Sequence, residues 1–448
     1  MASTYLSRTF GTATSRLICT ASMWVKRSAL GSAVFWNSYN SGTYRFQFYF
    51  DGSNRLGLLN VDSGSNNVEL ITNRVFRDVS AYYHLQAVID TTQGTASDRV
   101  KIYVNGVQET SFATETYPSQ NADMSLGADS YSCQIGRYGG GSDYFEGSMS
   151  HIHFIDGTAY DASAFGEYDA NGVWKIKTDV SVTYGNEGFF ILKDGNSVTD
   201  QSGNGNNFTV GGGTLTNTED SPSNVFATFN LILGNTNGTF TNGNLTYQSP
   251  SANPVFGSVT TLGMSSGKYY MECKYSAGAN HYLLLGLGDD DFVNGDRTNS
   301  FWDLGKYGYP STGIGTIGYV VNTGAYRIGN NNTSWGIAGG DGDIISVAID
   351  RDNNKIWFGV NGVWGNSGNP ATGTNGIDVS SILTKDTWYF GVSNDTSGTE
   401  TIAQFNFGNG YFGTTAVSSA GTNASGNGIF EYDVPTGYTA LSTKGLNL

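Results

Sequence analysis

The residues in this chain that could do chemistry are few and widely spaced. Glycoside hydrolysis needs two carboxylates about 5–9.5 Å apart across a cleft. The ten Glu residues are scattered, and most stand near turns, as Glu109, Glu146 and Glu187 do. The nearest pair, Glu431 and Asp433 in "FEYD", falls close to the C-terminus. The densest acidic cluster is "LGDDDFVNGD" (287–296). Crowded carboxylate and carbonyl oxygens can hold Ca²⁺, and in an extended segment Asp289 and Asp291 would point to the same side. The spacing nonetheless misses the EF-hand pattern, so a solvated loop is the simpler reading and Ca²⁺ the weaker one. His151 and His153, at i and i+2, could chelate a metal, but neither His84 nor His281 supplies an evident third ligand. Strand alternation reads the pair instead as outward polar residues flanking an inward Ile152. Cys19, Cys133 and Cys273 are odd in number and far apart, which suits buried free thiols and not a disulfide framework or a zinc site. Neither a Gly-x-Ser-x-Gly elbow nor a phosphate loop is present. These observations predict a protein that is not an enzyme and has no catalytic residues, no metal beyond the weak Asp289/Asp291 candidate, and no other cofactor.

Aromatic loops are the better functional candidates. "SFWDLGKYGYP" (300–310) sets Phe301, Trp302, Asp303, Tyr307 and Tyr309 among glycines. "RYGGGSDYF" (137–145) repeats the idea with Arg137, Tyr138, Asp143 and Tyr144. Flat rings can stack on sugars while neighbouring polar groups bond the hydroxyls. The alternative is that the rings fill the rim of a core.

The elements that must position these loops are strands. The chain has 448 residues, more than one hydrophobic core accommodates, so two domains are the natural expectation. Its 62 Gly, 13% aromatic and 14% charged residues suit pleated sheets joined by tight turns. Disorder is disfavoured by the same aromatic content. "YRFQFYF" (44–50) places Tyr44, Phe46, Phe48 and Phe50 on one strand face. Asn105-Gly106 and Asn361-Gly362 each mark a hairpin. Further strands are read at 23–27, 82–90, 150–157, 187–195, 267–276, 281–288, 387–394 and 402–408, and 343–364 reads as a hairpin pair with its first turn at Asp352-Asn353-Asn354 and a second at Asn361-Gly362. The polar stretch 200–224 is rich in turn residues, although Phe208 and Val210 suggest that part of it packs as a strand. The expected organisation is a sandwich over 1–211, a linker over 212–224 and a second sandwich over 225–448, both antiparallel and all-β. No repeat of 20–50 residues suggests a solenoid or propeller.

Both halves are acidic, with 14 basic and 22 acidic residues in 1–220 and 9 and 16 in 221–448, for a formal net charge of −15. That excludes a basic nucleic-acid footprint. No apolar run approaches the ~20 residues of a membrane span, and no charged-then-apolar signal segment opens the chain.

Resemblance adds to this reading. "YLSRTFGTATSRLICTASMWVKRS" (5–28), "KIYVNG" (101–106), "FIDGTAYDASAFGEYDANGVWKIK" (154–177) and "YGNEGFFILKDGNSVTDQSGNGNNF" (184–208) resemble laminin-G-like, concanavalin-type lectin/glucanase sandwiches, in the version found in structural proteins of tailed, especially marine, phages. That resemblance covers about residues 5–215. "GKYYMECKY", "LLLGL", "GDIISVAIDRDNNKIWFGVNG", "WYFGVSN" and "FNFG" resemble a SPRY domain over about 225–415. The junction "DQSGNGNNFTV…DSPSNVFATFN" is similar to phage proteins that join the two modules. The resemblance implies a jelly-roll-type sandwich followed by a SPRY-like one. Glucanases of the concanavalin type carry Glu-x-Asp-x-x-Glu on one strand, and that motif is absent here.

What the resemblance implies about function is a non-enzymatic virion surface protein made in the host cytoplasm. With the laminin-G-like pattern beginning by residue 5, no heptads and no collagen-like repeat, a capsid-decorating protein is expected ahead of a complete tail fibre. An adhesin at a fibre tip that recognises host carbohydrate is the alternative, and a glycoside hydrolase a remote one. Expected partners are other virion proteins, of capsid or tail, and host surface glycans, without nucleic acid or membrane insertion. A homo-oligomer is compatible with sandwich edges that need cover.

Overall fold

The computed structural model describes residues 3–193, 197–233, 238–249, 256–276, 283–294, 304, 315–329, 331–394 and 401–447. It divides into two compact units, Met1–Asn217 with Ser221–Ser223, and Thr218–Asp220 with Asn224–Leu448. Both are antiparallel β-sandwiches, and the only α-helix among the described residues is the short Asp290–Asn294.

In the first unit eight strands form one sheet, in the order Phe112–Thr116, Ser65–Val75, Arg55–Asp62, Tyr44–Phe50, Ala33–Ser41, Ser132–Ile135, Tyr5–Thr9 and Thr209–Gly212. Six form the other, in the order Phe189–Ile191, Gly147–Asp156, Ile18–Arg27, Tyr83–Asp90, Val100–Val104 and Val107–Gln108. Alternation decides which side chains fill the space between them. Phe46, Phe48 and Phe50 are buried as the pattern predicts, and Tyr44 starts that strand exposed. They meet Met23, Val25, Leu85, Ile102, Ile152 and Phe154 from the opposite sheet in one core. The hairpin at Asn105-Gly106 takes φ of 49° and 80°, the doubly left-handed turn that Asn-Gly favours. Thr209–Gly212 returns from the far end of the unit to pair with the first strand, Ser7 opposite Thr209. The Asn- and Gly-rich run before it is an ordered knot. Asp200 accepts from the backbone N–H groups of Phe190, Ser202 and Asn206, while the side-chain amides of Asn204 and Asn206 both donate to the Gly188 carbonyl.

The second unit packs a sheet built on Lys268–Ser276, Ile344–Asp350, Lys355–Val360 and Ile402–Asn406 against one built on Leu283–Asp289, Thr316–Val320 and Trp388–Asn394. Tyr247, Cys273, Leu285, Tyr319, Trp357, Phe390 and Phe405 lie in the shared core. The outer face of the first of these sheets is covered by the C-terminal segment. Glu272 is fully buried there. Its carboxylate accepts from the N–H groups of Glu431 and Tyr432, both at 2.8 Å, and from the Tyr270 hydroxyl at 2.9 Å. This one side chain therefore pins "FEYD" to the sheet, and Glu431 and Asp433 serve the packing of the segment.

Burial pushes the Glu272 carboxyl up to about 7, against the pull of its N–H donors. A raised folded value means that the fold holds a proton the unfolded chain has released. The stability of the second unit should be full below about pH 4.5 and fall as pH rises through about 7, by up to about 3 kcal/mol. Calorimetric melting between pH 4.5 and 8 should show this decline in the wild type and a flatter profile in Glu272→Gln.

Candidate functional site

The loop that follows Ser132–Ile135 in the first unit runs back across the outer face of the eight-stranded sheet. Its turn is closed by Gly141 N–H to the Tyr138 carbonyl and Tyr138 N–H to the Ser142 carbonyl. Gly139 lies against the sheet, donating to Asn37 Oδ1 at 2.6 Å, and a Cβ there would stand 2.3 Å from the Tyr39 ring. Only glycine fits that approach. Asp143 takes a left-handed φ of 49° and its carbonyl receives the Val34 N–H.

Held this way, the loop assembles a platform. The Arg137 guanidinium lies 3.4 Å over the Tyr5 ring. It donates through Nε to Gln134 Oε1 at 2.7 Å and through one terminal nitrogen to the Tyr144 hydroxyl at 3.3 Å. Tyr5 and Tyr144 meet edge to face, as do Tyr39 and Tyr138. All four tyrosines and Arg137 are half-buried. Gln134 extends the platform sideways, because its amide donates to Ser132 Oγ. Ser132 lines a shallow recess of about 390 Å³ with Ser7, Thr9, Asn206, Asn207 and Thr209. The structure therefore brings together Arg137, Tyr138 and Tyr144 from the sequence candidates. Asp143 stays at the exposed margin, its carboxylate bonded to Ser142 Oγ. Tyr5, Tyr39, Gln134 and the recess were not legible in the sequence, since nothing in the spacing ties residue 5 to residue 137.

Beneath the recess lies a buried ion pair. Arg8 follows Leu6 onto the inner face of its strand, against the rings of Phe10 and Phe189. One guanidinium nitrogen reaches Glu187 Oε2 at 2.8 Å and Asn206 Oδ1 at 2.7 Å, and both charged side chains are about one-tenth exposed (9% and 10%). This bond ties the first strand to the Asn186–Gly188 turn and to the 200–207 knot.

Two buried histidines are held neutral by their surroundings. Ser22 Oγ stands 2.8 Å from His84 Nε2, a serine–histidine pair absent from any local motif. Trp174 Nε1–H donates to His84 Nδ1 at 3.1 Å. Nδ1 is thus the acceptor, Nε2 carries the proton, and the imidazole donates to Ser22 instead of deprotonating it. Burial also pushes His84 down to about 3. His153 departs from the outward placement read from alternation. A bulge at His151, with φ of 49°, shifts the register between Ser150 and His153. His153 is buried against Phe190, with ring centroids 3.9 Å apart, and bonds the Tyr184 hydroxyl at 2.9 Å. Its burial holds it neutral, well below the ordinary histidine value.

In the second unit, Asp289 and Asp291 do not lie along an extended segment. Asp289 is buried and precedes the helix Asp290–Asn294. Its Oδ1 accepts from the N–H groups of Asp291 and Phe292, and its Oδ2 from those of Thr384 and Lys385. This is a helix cap combined with a loop clamp. Asp291 is exposed and pairs with Lys385 at 3.2 Å. Among the described residues no three His, Cys, Asp or Glu side chains gather to hold a metal. Phe301, Trp302, Asp303, Tyr307 and Tyr309, like His281, lie outside the described residues. Leu304 is described. It is buried with Val259, Leu284, Phe292 and Val320, and its N–H donates to Ser393 Oγ at 3.1 Å.

Residues 5–163 match the family Laminin_G_3, described as the concanavalin A-like lectin/glucanases superfamily. Solved structures similar to the chain include the SPRY domain of human HERC1, at 14% identity over 40% of this chain and 96% of that one, with a TM-score of 0.31. The TRIM65 PSpry domain is similar at 12% identity over 40% and 91%, with a TM-score of 0.29. A native heptameric SAP-like pentraxin from Limulus polyphemus is similar at 16% identity over 36% and 72%, with a TM-score of 0.27. A search of curated proteins returns no match. The first unit is thus similar, over residues 5–163, to the concanavalin A-like lectin/glucanases superfamily.

Replacing Arg8 with Ala leaves Glu187 buried without its counter-charge and should destabilise the first unit by about 3 kcal/mol in urea unfolding. The double variant with Glu187→Ala should cost less than the sum of the two single ones. Because four backbone donors occupy the Asp289 carboxylate, millimolar Ca²⁺ or a chelator should leave the melting of the second unit unchanged, whereas Asp289→Ala should lower it.

Proposed function

We propose that this chain is a non-enzymatic surface protein of a phage virion, a capsid-decorating one, whose sandwich faces contact neighbouring virion chains or host glycans. The observation that carries the contact role is the tyrosine–arginine platform beside a polar recess on the outer face of the eight-stranded sheet. Half-buried rings and a guanidinium next to hydroxyls and amides offer apolar contact and hydrogen bonding together. The concanavalin A-like match over residues 5–163 supports a lectin-like use of that face. The phage assignment rests on the resemblance of 5–215 and of the junction to structural proteins of tailed phages. The non-enzymatic assignment is supported by the protonation of the Ser22–His84 pair and by the commitment of Glu272 and Glu187 to packing. A fibre-tip adhesin is the second reading, favoured by the same platform if the ligand is a host saccharide.

Copy number and position on purified particles decide between these readings. Quantitative mass spectrometry with electron microscopy should find many copies at regular capsid positions. A few copies at the tail would replace decoration with the adhesin reading, and absence from particles would overturn the virion assignment.

A further inference from the structure

We infer that the Tyr5–Arg137–Tyr144 platform and its recess form a subsite for an acidic saccharide, Arg137 taking the sugar's carboxylate and the recess its hydroxyls. The inference rests on the reading of the first unit as a contact module and adds the chemical class of what it contacts.

Arg137 carries the argument. Of its donors, Nε goes to Gln134 and one terminal nitrogen makes a long 3.3 Å bond to Tyr144. The other terminal nitrogen has no bond to any described residue, and none of the ion pairs among the described residues includes Arg137. Asp143, the acid on the same loop, bonds Ser142 instead. A guanidinium stacked on a ring keeps its donors in one plane, and with Nε committed to Gln134 the end-on edge made by its two terminal nitrogens is the one left to receive a carboxylate. The stacking on Tyr5 and the bond to Gln134 fix that plane before any ligand arrives, which lowers the ordering cost of binding.

The wall beside it selects a sugar over a peptide. Ser7, Thr9, Ser132, Asn207 and Thr209 present hydroxyls and an amide, the partners of a polyhydroxylated ring. A peptide would instead use an open sheet edge or apolar pockets. Gln134 links the two halves, with its oxygen on Arg137 and its nitrogen on Ser132. One ligand can therefore bridge the cation and the recess. The recess, at about 390 Å³, lies within the ~300–1,000 Å³ range of small-molecule sites.

The test is an array of uronate-bearing, sialylated and neutral glycans probed with the full chain, followed by titration with oligogalacturonate and with its methyl ester, which keeps every sugar and removes the charge. Acidic glycans should be retained and the methyl ester should bind about tenfold or more weaker. Arg137→Gln should lose a similar factor with the melting temperature unchanged. Arg137→Lys, which keeps the charge without the planar fork, should fall between, and Tyr5→Ala should weaken binding by removing the support of the guanidinium. Equal binding of acid and ester, or an Arg137→Gln variant as good as the wild type, would overturn the acidic-sugar assignment while leaving a neutral-glycan module standing. Stronger binding of an acidic peptide, oligoglutamate, than of any glycan would overturn it in favour of a protein partner. An array with no bound glycan at all would sink the glycan half of the proposed function as well, and the position of the chain on particles would stand apart from that result.

Discussion

The buried pair of Arg8 and Glu187 is the constraint on which the first unit's surface depends. A cation on the inner face of the opening strand is admissible only with a counter-charge and with its remaining donors engaged. Glu187 supplies the charge and Asn206 the second acceptor. Those two residues come from segments that sequence distance would not bring together, the turn at 186–188 and the knot at 200–207. Once they are fixed, Thr209–Gly212 falls into register on the first strand. The floor of the recess and the position of Tyr5 on the strand's opposite face are then set together, because successive side chains of one strand cannot be turned independently.

The inward half of this architecture was legible, and the reason is periodicity. Phe46, Phe48 and Phe50 report a strand with one buried face, and Asn105-Gly106 and Asn361-Gly362 report the turns that reverse it. The outward half was not. Both sandwiches cover parts of their outer faces with connecting segments, so a polar residue that alternation sends outward can still be buried. Glu272 is the plainest case, outward by its strand yet enclosed by the C-terminal segment that it holds. His153 is another, reached through a bulge that no composition rule announces. Sequence reasoning picked Arg137, Tyr138 and Tyr144 by residue type alone. It could not supply Tyr5 or Gln134, whose place beside them is a product of strand order.

The same covering explains why three groups that look reactive are engaged in packing. A serine beside a histidine, an acid with a raised pKa and a cluster of aspartates each have the composition of a site. In each case the surrounding groups fix a protonation or bonding pattern that serves packing. Trp174 sets the His84 tautomer, the Glu431 and Tyr432 amides occupy Glu272, and four backbone donors occupy Asp289. Perturbed groups mark functional sites only when some valence is left over. Arg137 differs from them in this respect, since its outward edge is not consumed by the fold.

A chain of net charge −15 that receives an anion has to reconcile a repulsive far field with an attractive contact. The two act on different length scales. At physiological ionic strength the Debye length is about 8 Å, so carboxylates spread over the remainder of the surface are largely hidden from a ligand seated at Arg137. The contact itself is short, partly desolvated by Tyr5, and screened much less. At low salt the balance reverses, because the far field reaches out and slows the approach of an anion. An acidic surface around an aromatic-backed arginine whose end-on edge is free therefore acts as a filter. On the proposed reading it favours an anionic group small enough to sit within one Debye length of Arg137 over a polyanion that must lie along the protein.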